Sequence, residues 1–185
     1  MLQDILRQNR QSVLDRWFDR VIDTYHPDSK KHFSSRVNRF ANPVGSQIRE
    51  GIEAILDGLL DGLDARSESM AKHLDVIVRI RAVQDFSASQ AVGYLFFLKE
   101  VVRDLAGKQP GSSIRSQELW NFDSRVDALA LYSFDIYSQC REKLFDIRVY
   151  EVKSQVRKIL EVIERKSAKE EVESDRTDDN ADSVT

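Results

Sequence analysis

Seven polar residues crowd the approach to the most apolar stretch of the chain: Arg79, Arg81, Gln84, Asp85, Ser87, Ser89 and Gln90. A forked guanidinium beside side-chain amides and the start of a helix is a receptor for an anion or a carboxylate. The same residues also have a purely structural reading. Arg81 and Asp85 stand four apart, within ion-pairing reach on a helix. Ser87 and Gln90 have capping-box spacing, and Gln84 can satisfy a backbone group of the hinge. Capping accounts for most of the cluster without a ligand, so both readings stand. The candidate ligand or partner site is Arg79, Arg81, Gln84, Asp85, Ser87 and Gln90.

No other constellation offers chemistry. Of the three histidines, His26 and His32 lie in polar, turn-like sequence, whereas a haem ligand belongs in an apolar pocket. His73 sits among Leu74, Ile77 and Ile80 and reads as an ordinary half-buried histidine. No His, Cys or carboxylate pair has metal-ligand spacing, and no nucleophile elbow, phosphate loop or kinase signature is present. The expectation is a protein without catalytic residues or cofactor. The net charge of −3 lacks the basic footprint of a nucleic-acid binder. A single cysteine, Cys140, excludes an internal disulfide and fits a reducing cytosol. The opening MLQDILRQNR mixes acid, base and amide, unlike a targeting peptide.

The elements that must position the cluster are helical. From Ala88, the residues Ala91, Leu95, Leu98, Val102 and Leu105 recur on one face. Val92 and Phe96 widen that face, and Tyr94, Phe97 and Val101 cover much of the other side, so this helix should be buried among several neighbours. Before it, Leu14, Trp17, Phe18, Val21, Ile22 and Tyr25 mark a helix over 11–25, preceded by a short turn carrying Leu2, Ile5 and Leu6. Residues 30 to 41 read as a short helix or ordered loop. Asn42 and Pro43 open another helix as cap and first turn, and Gly45 and Gly51 inside it point to close packing. Ser67 to Arg81 follows with Met70, Leu74, Ile77 and Val78 inward. After a loop at Gly107–Ser113, helical pattern resumes near Ser116, with Leu119, Phe122, Val126, Leu129, Leu131, Tyr132 and Ile136 as core contacts. Period-two alternation is absent, so the class is all-α.

The last helix changes period. Phe145, Val149, Val152, Val156, Ile159 and Ile163 alternate at four and three, a heptad seam suited to pairing with a second helix. Packing of this helix against its own domain is the competing reading. Beyond Arg165, KSAKEEVESDRTDDNADSVT has no periodic apolar residue and is expected to be a disordered acidic tail.

Two stretches carry a family resemblance. Arg81-Ala-Val-Gln-Asp-Phe-Ser87, then Ser89-Gln-Ala91 and an aromatic-rich helix, resembles the N-terminal domain family of the RsbT co-antagonist protein RsbRD. Arg39-Phe-Ala-Asn-Pro-Val-Gly45 followed by Gly51 resembles its second signature, and the likeness spans about Val13 to Gln139. The resemblance implies an all-helical, globin-like fold without haem. It also implies a bacterial stress-response sensor that dimerises and passes a signal down a C-terminal helix to a STAS domain, which this sequence lacks.

The organisation expected is a globin-like bundle over 1–143, a linker or coiled-coil helix over 144–166 and a tail over 167–185. The function expected is a cytoplasmic, non-enzymatic regulatory module. It would act as a homodimer on a STAS-domain protein or switch kinase, with neither nucleic-acid binding nor membrane insertion. The alternative is an adaptor or assembly factor on a larger cytosolic or membrane-associated complex.

Overall fold

A computed structural model of the chain describes residues 1–27, 30, 33, 42–108 and 116–181, with side chains to residue 166. All regular structure among the described residues is helical: α1 Leu2–Gln8, α2 Arg10–Asp23, α3 Pro43–Leu60, α4 Glu68–Val83, α5 Ala88–Gly107 and α6 Ser116–Ala181. The chain divides into two compact units, Met1–Arg141 and Glu142–Thr185.

Local chemistry sets the helix starts. Asn42 Oδ1 accepts the Gly45 N–H at 2.9 Å, and Pro43 follows in the first turn, where its missing N–H costs nothing. Ser67 Oγ accepts from Met70 N at the head of α4. At α5, Ser87 Oγ accepts from Gln90 N while Gln90 Oε1 accepts from Ser87 N, a complete capping box. The predicted short helix or loop over 30–41, and the loop at Gly107–Ser113 past Lys108, lie largely outside the described residues.

Within the first unit, α2 packs on α3 and α5, and α4 packs on α3 and α5. One stripe of α2, comprising Val13, Leu14, Trp17, Phe18, Val21 and Ile22, is buried. Each such side chain contributes about 1.5–3 kcal/mol of burial. Trp17 ties α2 to α5 twice. Its ring stacks on Tyr94 at 6.2 Å between centroids, and its Nε1–H donates to the Tyr94 carbonyl at 2.7 Å. The packing of α3 on α4 is close at Gly51, where a Cβ would stand 2.8 Å from Ile77 Cδ1. At Gly45 the crowding comes from the helix's own Asn42 cap.

On α6, Phe122, Val126, Leu129 and Ile136 face the core of the unit, whereas Leu131, expected among them, is 71% exposed. Leu131 falls two residues after Leu129, off the stripe that Phe122, Val126, Leu129 and Ile136 share, while its neighbours Ala130 and Ser133 are buried. The bounds of α6 run to Ala181, past Lys166, where the acidic tail is expected to begin. No glycine or proline interrupts Ser116–Ala181, and a polar run without breakers can hold helical geometry with no apolar stripe. In the second unit, Phe145, Val152, Val156, Ile159 and Ile163 are exposed and Val149 is half-buried.

Candidate functional site

The polar cluster does not stay together. Arg79 points to the surface, where its Nε donates to Asp75 at 2.6 Å. Gln84 caps α4, its N–H on the Ile80 carbonyl. Asp85 is exposed and lies 3.5 Å from Arg141 on α6, so the anticipated Arg81–Asp85 pair does not form. Asp85 also has φ 59°, the left-handed turn by which the chain leaves α4. Ser87 and Gln90 are exposed and occupied in the capping box.

Arg81 turns the other way and is 0% exposed. Its position follows from helical register, because Met70, Leu74, Ile77 and Val78 put the same face of α4 into the core. One nitrogen, Nη2, donates to Thr24 Oγ1 at 2.8 Å and to the Gln90 carbonyl at 3.1 Å. Three rings surround the guanidinium: Phe86 at 4.3 Å, Tyr25 at 5.2 Å and Tyr94 at 5.6 Å from its carbon. Phe86 comes from the hinge between α4 and α5, and its carbonyl accepts the Tyr137 hydroxyl of α6 at 2.7 Å. Thus the turn after α2, α4, the hinge and α5 each supply a part, and α6 fixes the hinge from outside.

The electrostatics of this cage are lopsided. Arg81 Nε and Nη1 and the hydroxyls of Tyr25, Tyr94 and Ser133 are buried without a partner at full hydrogen-bond geometry, although Tyr25 lies close enough to act on Arg81 and Ser133 on Tyr94. Burial holds the Arg81 guanidinium below its usual pKa, and no carboxylate among the described residues acts to restore it. Burial likewise pushes both phenols up, against the opposing pull of the Arg81 charge. Three desolvated rings return about 2 kcal/mol or more each, while a buried ion costs several and each unmade hydrogen bond about 1–3 more. The hydroxyls can accept as well as donate. Even if they did so fully, the positive charge would lack a negative partner.

Among the described residues no group of three His, Cys, Asp or Glu side chains could hold a metal ion. His26 is exposed and His73 half-buried, while His32 lies outside the described residues. Sequence reasoning missed Thr24, Tyr25 and Tyr94, which reach Arg81 only by the packing of distant segments, Ser133 beside Tyr94, and Phe86 of the adjoining hinge.

A second feature is apolar. Ala88, Val92, Gly93 and Phe96 of α5 and Ala130, Leu131 and Phe134 of α6 line an open groove of about 960 Å³. Nothing fills the space over Gly93. Phe96 is 42% exposed and Phe134 50%. No described helix is long and apolar enough to cross a membrane.

Residues 11–149 match the family described as RsbT co-antagonist protein rsbRD N-terminal domain. An uncharacterized protein of the archaeon Archaeoglobus fulgidus is 24% identical over 161 residues, covering 85% of this chain and 95% of its own length. No solved structure matches.

Proposed function

Because the chain belongs to the RsbT co-antagonist protein RsbRD N-terminal domain family, we propose that it is a non-enzymatic regulatory module, a stressosome-type sensor that works as a cytoplasmic homodimer and signals through protein contacts. The observation that carries this reading is uncovered apolar surface arranged for a helical partner. The groove between α5 and α6 exposes Phe96, Leu131 and Phe134. Separately, the seam from Phe145 to Ile163 runs about 27 Å along one helix with most of its apolar residues in solvent. Contiguous exposed apolar residues mark interaction sites, and a four-three spacing fits helix pairing. The absence of a helix able to cross a membrane among the described residues and the single cysteine are consistent with the proposed compartment. A shift in the paired helices can report a stimulus only if that stimulus prefers one of two arrangements. The partner acted upon is then a regulatory protein, a STAS-domain protein or a switch kinase. The test is the solution mass of the full chain by light scattering. A dimer at micromolar concentration supports the reading, and a monomer at hundreds of micromolar removes its basis.

A further inference from the structure

We propose that the Arg81 cage is a binding site for a small monovalent anion, a halide or a formate-sized carboxylate. The site is built rather than incidental. Arg81 and Ser133 are both 0% exposed, and five polar atoms lack partners at hydrogen-bond geometry: Nε and Nη1 of Arg81, the hydroxyls of Tyr25 and Tyr94, whose rings lie against the guanidinium, and the Ser133 hydroxyl beside Tyr94. Every one of these atoms can donate a hydrogen bond, and only the three hydroxyls can also accept one. The surplus is of donors, beside a cation with no carboxylate acting on it among the described residues. An acceptor bearing one negative charge cancels the charge and takes the spare N–H and O–H groups together.

Size follows from the rings. Phe86, Tyr25 and Tyr94 stand only 4.3–5.6 Å from the guanidinium carbon, which excludes a nucleotide or sugar phosphate and limits a ligand to an ion of a few atoms. Entry is short, since Thr24, bonded to Arg81 Nη2, is itself exposed. The cage is closed by Phe86 on the hinge, which hangs on α6 through Tyr137 and lies beside the Asp85–Arg141 pair. An occupied cage therefore has a direct contact with the helix that the regulatory reading makes the output. In that sense the inference deepens the proposed function and rests on it for its meaning, although the binding itself can be measured alone.

The experiment uses the full chain in sodium HEPES with ionic strength held constant by sodium sulfate, into which sodium chloride, bromide, formate or acetate is exchanged while thermal unfolding is followed. Replacing sulfate weakens its general stabilisation, so a rise in Tm reports a site. The expectation is a saturating rise of about 5 °C at about 100 times the dissociation constant with halide or carboxylate, the family that saturates first naming the ligand. Arg81→Met, which keeps apolar volume and removes the charge, should abolish it. Ser133→Ala should shift half-saturation upward about fivefold, the worth of one hydrogen bond. No saturating response from any of the four salts overturns the proposal, as does an undiminished response in folded Arg81→Met. Light scattering on the same samples keeps the two ideas apart: a dimer that ignores the anions sinks this site alone, and a monomer that binds them sinks the dimer alone.

Discussion

Arg81 is the residue whose presence local stability explains least. A buried guanidinium with two idle nitrogens should cost the fold more than its three aromatic neighbours return. Replacing it with methionine, an apolar side chain of similar length, is expected to leave stability unchanged or raise it. Alanine is expected to cost about 2–5 kcal/mol through the cavity it opens. Urea denaturation of both variants checks this. If methionine costs as much as alanine, the cage stabilises its arginine and needs no ligand. The tyrosines give a second prediction. Burial raises the folded pKa of Tyr94 and Tyr25 above the unfolded value of about 10. The folded state thus holds protons that the unfolded state loses. Stability from these groups is intact below about pH 10 and falls as pH rises toward their folded values, by at most about 1.4 kcal/mol per pH unit for each. The groups facing Tyr94 are Arg81, Tyr25 and Ser133. Arg81, lowered by burial, opposes the trend only near the alkaline end. Tyr94→Phe should flatten the alkaline loss measured by urea midpoints, and equal slopes would contradict this. At this scale the sequence showed the arginine but not its surroundings. Arg81 continues the Leu74, Ile77 and Val78 register, so its burial was readable. Tyr25 reaches it from the turn after α2 and Tyr94 from α5, and Phe86 is a lone aromatic in a polar hinge with no periodicity to reveal it.

Among the elements, the helix starts were the most legible, because a cap is chemistry within four residues: Asn42 with Gly45, Ser67 with Met70, Ser87 with Gln90. The α6 face was read less well. Leu131 was placed inside, although two residues after Leu129 it stands off the stripe that Phe122, Val126, Leu129 and Ile136 share. The apolar seam of α6 stops at Ile163, while helix-breaking residues are absent through Ala181. The glycines of α3 separate two outcomes. Alanine at Gly51 gains about 1 kcal/mol of helix propensity but drives its Cβ against the branched Ile77 side chain and toward the His73 carbonyl. Overpacking of about 1–3 kcal/mol outweighs that gain. Alanine at Gly58 meets the flexible thioether of Met70, which can turn aside. Thermal melting should show Gly51→Ala lower in Tm by about 2–4 °C and Gly58→Ala unchanged or higher. The reverse order would mean that Ile77 yields and Met70 does not.

For the whole molecule, the family was legible because its two signatures are local sequence, one of them the capped hinge that closes over Arg81. The all-α class followed from periodicity alone. Association between copies is a different kind of property, since exposed apolar residues state that a partner is wanted without stating which. The groove at Phe96, Leu131 and Phe134 and the seam at Val152, Val156 and Ile159 are the two exposed apolar surfaces on which the proposed homodimer would depend. The most direct measurement is sedimentation equilibrium of the full chain beside two double variants, Leu131→Glu with Phe134→Glu and Val152→Asp with Ile159→Asp. The wild type should sediment as a dimer, and each pair, substituting exposed positions and leaving the core intact, should weaken association at least tenfold with an unchanged helical circular-dichroism spectrum. A wild-type monomer, or dimers indifferent to both pairs, would contradict the account.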